Sequence, residues 1–186
     1  KIKTEEDFLK ICKGRTELEI SHIFFLLCNN GILFDKKMKY KKVENPKITI
    51  ISTLYNRQNY ILRVLRSFQN QPMKGIEIIF VDDCSTDESV KIIENYQKQD
   101  ERIILIKHET NKGTLISRND GIYKAKGEYI MFVDSDDLLL YNILNKAYEI
   151  AKKDNYEIVQ FAAYRQSGNR YWNYGEIRHN NPIYQS

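Results

Sequence analysis

Two groups of aspartates stand where they could act together on a ligand. Asp82-Asp83 and Asp134-Ser135-Asp136-Asp137 each follow a short run of β-branched and aromatic residues that is typical of a strand. Carboxylates that converge on one place repel each other, and a hard cation relieves that repulsion. Mg²⁺ or Mn²⁺ takes one or two carboxylates and leaves its other positions for water and phosphate oxygens. The pattern predicts a metal and diphosphate site, at which the metal offsets the charge of a leaving group.

These acids need elements that bring them together, and from Pro46 onward strand-like and helix-like segments alternate. Strands are predicted at 48–53, 76–81, 103–106, 129–133 and 157–161. Helices are predicted from about residue 59, after residues 85–88, over 115–124 and over 142–153. Buried strands that alternate with helices indicate an α/β fold with a mostly parallel sheet covered on both faces. In such sheets ligands bind beyond the carboxyl ends of the strands, which is where both acid groups stand.

Single residues are expected to shape these elements. We expect Ser85 and Asp87 to cap the helix that follows the second strand, and Gly127 to close the helix 115–124. The strand before Asp134 is expected to be buried. The helix 142–153 is expected to bury four apolar side chains, those of Ile143, Leu144, Ala147 and Ile150. Residues beyond Phe161 show no clear period.

Length and composition exclude several other classes of protein. A chain of 186 residues with 42% hydrophobic residues can close one main core. Its cysteines (Cys12, Cys28, Cys84) and its three histidines are scattered, which argues against a zinc site and predicts reduced thiols. No stretch is long enough to span a bilayer, and the N-terminus lacks a signal-peptide layout. The expected location is the cytoplasm or the cytoplasmic face of a membrane.

Residues 1–45 differ from the rest and are interpreted as a partly helical N-terminal extension with a lysine-rich linker. The net charge of +4 comes largely from the lysines of this linker, Lys36, Lys37, Lys39, Lys41 and Lys42. Such a run is typical of a solvated arm, with peripheral contact to an anionic membrane as the other reading. No motif for nucleic-acid binding accompanies it. Residues 46–186 form the second predicted domain.

The motifs of this second domain occur in a specific order. They are Thr53-Leu54-Tyr55-Asn56-Arg57, Ser67-Phe68-Gln69-Asn70-Gln71, Glu77-Ile78-Ile79-Phe80-Val81-Asp82-Asp83-Cys84-Ser85-Thr86-Asp87, Asn111-Lys112-Gly113, Ser117-Arg118-Asn119, Lys126-Gly127-Glu128-Tyr129-Ile130 and Phe132-Val133-Asp134-Ser135-Asp136-Asp137. On these residues, from Pro46 to about Ala163, the chain resembles a family 2 glycosyltransferase of the GT-A fold. The resemblance implies a Rossmann-like, mostly parallel sheet flanked by helices, here truncated at the C-terminus.

The resemblance also implies roles for single residues in binding a nucleotide sugar. Thr53, Tyr55 and Asn56 would lie near the base. Asp83 would accept a hydrogen bond from the base, with Asp82 beside it. The DxD motif would give Asp134 to the ribose or the metal, and Asp136 to the metal and diphosphate. The implied set is completed by a third metal ligand and four further donor contacts, Asp137, Asn111, Gly113, Arg118 and Ser135.

Some of these residues keep a second interpretation. Tyr55 could pack in the core, and Arg118 could pair with the diphosphate or with an acid of the cluster. Cys84 stands where glycine is common in the family. Members that invert the sugar use an aspartate beyond the DxD segment as general base. Since the only acid after Glu157 is Glu176, the catalytic base is not expected in this chain.

The function implied is therefore metal-dependent transfer of a sugar, with inversion, from a UDP-type nucleotide sugar to a hydroxyl of a glycan, lipid or protein. The cofactor would be Mn²⁺ or Mg²⁺. The alternative is a non-catalytic nucleotide-sugar-binding module. Phosphatases with an Asp-x-Asp nucleophile are disfavoured because here the motif follows the fourth strand, and dinucleotide and P-loop enzymes because their glycine motifs are missing.

Overall fold

Four parallel strands in the order β3-β2-β1-β4 form the central sheet. In the computed structural model, which describes residues 4–30, 40–160, 163–167 and 170–174, their bounds are β1 Ile48–Leu54, β2 Ile76–Asp82, β3 Ile103–Lys107 and β4 Tyr129–Phe132. The register places Ile50 of β1 between Ile78 of β2 and Met131 of β4. The predicted α/β fold with a parallel sheet is confirmed, and so are its first four strands.

Six helices are described: α1 Glu5–Cys12, α2 Glu17–Asn29, α3 Ile61–Gln69, α4 Ser89–Gln97, α5 Thr114–Lys124 and α6 Ile143–Lys153. The chain forms two compact units, Lys1–Tyr148 and Glu149–Ser186, with their boundary inside α6. In the first unit, one face of the sheet packs in a core with α3, α4 and the start of α6, through Phe68, Ile93 and Leu144. On the other face, α5 lies over β1 and β2. Both faces are buried because residues of β1 and β2 are apolar on both sides, with hardly any polar alternation.

The strand before the acidic cluster is not buried, contrary to the prediction. β4 is the edge strand of the described sheet, and its residues alternate between the two faces. Tyr129 and Met131 pack against the core, whereas Ile130 and Phe132 are 40% and 45% exposed. An apolar run shows that a strand forms, but it does not tell whether an element covers both of its faces.

The prediction that Gly127 closes α5 is wrong. The helix ends at Lys124, and its C-cap is Ala125. The backbone of Gly127 instead lies close against the start of β1, where its N–H donates to Thr49 Oγ1 at 2.8 Å. Thr49 in turn donates to the buried carboxylate of Glu77, which also accepts the N–H of Lys126. The absence of a side chain at Gly127 therefore serves a close backbone approach.

The predicted fifth strand at 157–161 is wrong over its described residues, 157–160, which form no strand. Ile158 is 85% exposed there. A strand needs a neighbour for its backbone hydrogen bonds, and sequence propensity alone does not supply one. The second unit instead contains an antiparallel hairpin of β5 (Ala163–Ser167) and β6 (Arg170–Tyr174), where no period was recognised. In α6, Leu144 is buried as predicted, but Ile150 is exposed.

The N-terminal segment is helical, as predicted, and contacts the rest of the first unit. Phe8 and Phe24 pack around Tyr141, whose hydroxyl donates to Glu5. Of the lysine-rich linker, Lys36, Lys37 and Lys39 lie outside the described residues, whereas Lys41 pairs with Glu101 at 3.1 Å. The division at residues 45 and 46 stays a prediction.

Candidate functional site

A cleft of about 300 Å³ opens at the carboxyl ends of β1, β2 and β4. This is the edge of a parallel sheet at which ligands bind. Its wall combines residues that follow all three strands with residues from the first turns of α5. The lining residues are Thr53, Leu54, Tyr55, Arg57, Asp83, Thr114, Ser117, Arg118, Asp134, Ser135 and Asp136.

Seven of the predicted site residues meet in this cleft. Thr53 and Tyr55 come from the end of β1, and the side chain of Tyr55 is 46% exposed. The interpretation of Tyr55 as a core residue is therefore wrong. Arg118 donates from Nη2 to Asp134 Oδ1 at 3.0 Å, so it pairs with the acid cluster. The list is completed by Asp83, Ser135 and Asp136.

Asn56 and Asp82 do not line the cleft and instead form hydrogen bonds with the loop that follows β2. Asn56 has a φ of 53°, and its side-chain oxygen accepts the N–H of Thr86 at 2.8 Å. Its own N–H donates to Ser85 Oγ, which leaves Ser85 without the predicted capping role. The buried Asp82 accepts the N–H of Ser85 with Oδ2, and Oδ1 has no hydrogen-bond partner among the described residues.

Asp83 holds the turn that leads into α5. Its Oδ2 accepts the N–H of Gly113, and its Oδ1 accepts the N–H of Lys112, both at 2.8 Å. The ring of His108 adds a third contact to the carboxylate, the second at Oδ1. Burial alone would raise the pKa of Asp83, but these hydrogen bonds outweigh it and hold the pKa below its ordinary value. Asp83 is therefore a carboxylate at neutral pH.

Gly113 and Asn111 belong to this turn and do not line the cleft. Gly113 has a φ of 86°, in the region that favours glycine, and is the N-cap of α5. Asn111 is exposed. The contact of Gly113 with Asp83 fixes where α5 begins, and thereby where Ser117 and Arg118 stand in the cleft wall.

Arginines surround the acidic cluster, and two of them were not predicted as site residues. Arg57 Nε lies 4.0 Å from Asp136 Oδ2, and Arg63 Nη2 donates to the backbone oxygen of Asp136 at 3.3 Å. Arg57 belongs to a motif that was recognised, but its side chain was not assigned. Their positions in the sequence could have indicated both side chains, since Arg57 follows β1 and Arg63 lies on α3, the next helix.

Asp137 is not among the residues that line the cleft, and its backbone N–H donates to the backbone oxygen of Asp134 at 3.0 Å. Partial burial, together with the negative charges of Asp136 and Asp134, raises the pKa of Asp137 above its ordinary value. Within the described residues, no three side chains of the His, Cys, Asp or Glu type are placed together to hold a metal ion. The three-ligand set Asp134, Asp136 and Asp137 stays a prediction.

Comparisons with known proteins agree with the resemblance. The sequence profile described as "Glycosyl transferase family 2" matches residues 49–186, which is most of the chain. The chain belongs to glycosyl transferase family 2. The matched region contains the cleft and every residue that lines it.

Two similar glycosyltransferases and one solved structure agree with this membership. An uncharacterized glycosyltransferase of Haemophilus influenzae is 43% identical over 101 residues, which are 54% of this chain and 40% of that protein. A poly(ribitol-phosphate) beta-glucosyltransferase of Bacillus spizizenii is 42% identical over 60% of this chain and 18% of its own length. S. aureus TarS 1–349 in complex with UDP-GlcNAc superimposes with a TM-score of 0.56 at 33% identity, over 59% of this chain and 32% of TarS. The chain thus spans less than half the length of these proteins, and the GT-A resemblance is confirmed.

Asp87, in the loop beside the cleft, offers a test by acid titration. Its carboxylate accepts the N–H of Gln58 and of Ser89, each at 2.9 Å, although Glu88 rather than Asp87 is the N-cap of α4. Partial burial alone would raise the pKa of Asp87. The hydrogen bonds to Ser89 and Gln58 outweigh this effect and hold the pKa below its ordinary value. The stability that this carboxylate contributes is complete above the unfolded pKa of about 3.9, and is lost as the pH falls through the lower folded value.

We therefore expect Asp87→Asn to lower the free energy of unfolding at pH 7 by about 1 kcal/mol. The loss of stability below about pH 4 should also be shallower than in the wild type. Urea unfolding in pH steps measures both. Asp154→Asn, at an exposed position, is the matched control and should follow the wild-type curve. An unchanged pH dependence in Asp87→Asn would contradict the assigned hydrogen bonds.

Proposed function

We propose that this protein is a glycosyltransferase that takes a sugar from a UDP-type nucleotide sugar and transfers it to a hydroxyl acceptor. The observation that carries the proposal is one cleft, in a family 2 chain, that combines Tyr55 and Asp83 with Arg118, Asp134 and Asp136. The complex of the similar TarS structure with UDP-GlcNAc supports the choice of donor.

The two ends of the cleft differ in chemistry, which fits the two ends of a nucleoside diphosphate. At the β1 and β2 side, Tyr55 offers an exposed aromatic ring and Asp83 an ionised acceptor for base N–H groups. At the β4 side, Arg57 and Arg118 are guanidinium groups that suit phosphate oxygens. Because each is only half-buried and paired with an exposed aspartate, either can exchange that partner for a phosphate at small cost.

The donor set fits a hard divalent cation held jointly by protein and substrate. Asp134 and Asp136 present oxygen ligands on side chains that are 59% and 48% exposed, open to water and to the cleft. Mg²⁺ and Mn²⁺ are bound in this way, by one or two carboxylates together with substrate phosphates and water. Bound there, the ion would neutralise charge on the diphosphate. Asp137 completes this proposed group, and Ser135, buried in the cleft wall, faces the same ligand.

The acceptor half of the reaction depends on residues other than those in the cleft. Inversion at the sugar needs a base that removes the proton of the acceptor hydroxyl. The second candidate function is a nucleotide-sugar-binding module without turnover, for which the cleft alone is sufficient. The Bacillus spizizenii relative is named for a poly(ribitol-phosphate) acceptor, which makes a polymer hydroxyl the first acceptor class to test.

The location and any membrane contact belong to the same proposal. No helix among the described residues has the length and apolar character needed to cross a bilayer. The lysine-rich linker, which includes the exposed Lys41 and Lys42, would give a cytoplasmic protein a weak attraction to an anionic membrane surface.

Release of the nucleoside diphosphate separates the two candidate functions. The protein is incubated with UDP-glucose or UDP-GlcNAc and Mn²⁺, with and without a polyol-phosphate polymer, and free UDP is measured. We expect UDP release that increases when the acceptor is added. Binding of the donor without any release would favour the non-catalytic module, and failure to bind any nucleotide sugar would refute both functions.

A further inference from the structure

The ring of His108 lies between two carboxylates, immediately after β3. Its Nδ1 is 2.8 Å from Asp83 Oδ1, and its Nε2 is 2.9 Å from Asp120 Oδ2. The side chain of His108 is only 3% exposed, so water does not replace either partner. The histidine thus connects the end of β2 to the middle of α5, and no metal or nucleophile role is needed to explain its position.

Each ring nitrogen of His108 faces a carboxylate oxygen, and a carboxylate can only accept a hydrogen bond. A neutral imidazole has one N–H, and its second nitrogen would face a carboxylate lone pair at under 3 Å. Asp83 cannot supply the missing proton, because both of its oxygens already accept backbone N–H groups and its pKa is lowered. Asp120 is partly exposed, and the ammonium group of Lys112 lies 3.9 Å from its carboxylate.

We propose that His108 is a doubly protonated positioning residue that ties Asp83 to α5 and so orients the base-binding end of the cleft. The proposal rests on the proposed function, since it assumes that this end receives a nucleotide base. His108 does not line the cleft and acts through Asp83.

The contacts of Asp83 determine which acceptor position of its carboxylate stays available to a ligand. Each carboxylate oxygen has two acceptor positions. At Oδ1 both are taken, by His108 and by the N–H of Lys112, whereas at Oδ2 the N–H of Gly113 takes one. Asp83 therefore keeps a single acceptor position for a ligand. Uracil offers an N–H at its ring position 3, where cytosine has only an acceptor, so this geometry favours UDP over CDP.

His108→Gln tests the proposal, because a glutamine amide group can donate to only one of the two carboxylates. We expect the affinity for UDP to fall about 10-fold and the preference for UDP over CDP to shrink by a similar factor. The affinity for inorganic pyrophosphate, which does not reach Asp83, should stay within about 2-fold. Calorimetry or NMR titration of the three ligands in Mn²⁺ gives these values, with His22→Gln in α2 as the matched control.

Asp120→Asn is the conservative variant, since its amide oxygen still accepts from Nε2 while the charge is removed. We expect a loss of UDP affinity of about 3-fold, smaller than that in His108→Gln. In the wild type, nitrogen NMR of the imidazole should show protons on both ring nitrogens of His108. This signal is independent of UDP binding, so it tests the bridge even if the proposed function fails.

Three results would overturn the proposal. One is a His108 ring with a single N–H in the folded protein. Another is UDP binding by His108→Gln that equals the wild type. The last is an equal loss of UDP, CDP and pyrophosphate binding, which would show that the histidine supports the fold without orienting Asp83. If the wild type binds no UDP but shows both ring protons, the proposed function fails and the bridge remains.

Discussion

Asp136→Asn is expected to lower the affinity of the protein for UDP in the presence of Mn²⁺ about 100-fold, and donor turnover by at least as much. The substitution keeps the size of the side chain and removes its charge. Asp136 lines the cleft together with Asp134, and its carboxylate lies 4.0 Å from Arg57 Nε. The loss of UDP affinity should therefore come from weaker binding of the metal ion that the carboxylate would hold together with the diphosphate.

The effect on the fold should be small, which makes the result easy to interpret. The side chain of Asp136 is 48% exposed, and exposed substitutions usually change stability by less than about 0.5 kcal/mol. Asp154→Asn is the matched control, at an exposed position in the second unit. Calorimetry of UDP binding and the melting temperature are measured for both variants. A stable Asp136→Asn protein that binds UDP as the wild type does would contradict the assignment of the acidic cluster.

Gly127→Ala is expected to lower the free energy of unfolding by about 3 kcal/mol, more than Asp87→Asn or Asp136→Asn. A Cβ at this position would lie 2.4 Å from the backbone nitrogen of Thr49 and 2.8 Å from the carbonyl carbon of Ile48. Both atoms belong to β1, the strand between β2 and β4, so neither can move without disturbing the sheet. The hydrogen bond from Gly127 to Thr49 would be stretched in addition.

Gly75→Ala is the matched control for this substitution. There the added Cβ would meet the flexible side chain of Lys47 at 3.4 Å, which is an ordinary contact. We expect its melting temperature to change by about 2 °C at most, against about 10 °C for Gly127→Ala. Thermal unfolding followed by circular dichroism measures both. Equal melting temperatures for the two variants would show that the turn at Gly127 does not approach β1 as described.

The strands of the sheet could be predicted where burial on both faces makes them continuously apolar, as in β1 and β2. The same criterion misjudged β4, because an edge strand with Ile130 and Phe132 half-exposed reads like a buried one. It also predicted a strand at 157–161. Whether such a segment pairs depends on a partner that local sequence does not reveal.

The site was predictable in outline and not in detail, for a similar reason. The rule that ligands bind beyond the carboxyl ends of parallel strands located Tyr55, Asp83 and Asp136. It left the pairings among these residues open: for Arg118, an acid of the cluster was one of two predicted partners, and only the structure shows that the acid is Asp134. His108 follows β3 and satisfies the same rule, but a lone histidine gives no sign that two carboxylates surround it.

The central claim is that the cleft binds a nucleoside diphosphate jointly with a divalent cation at the acidic cluster. The most direct test is calorimetric titration of UDP into the protein in Mn²⁺, repeated after removal of the metal with a chelator. We predict saturable binding of one UDP per chain in Mn²⁺, and an affinity at least about 100-fold lower without it. Binding of equal strength under both conditions, or no binding in Mn²⁺, would contradict the account.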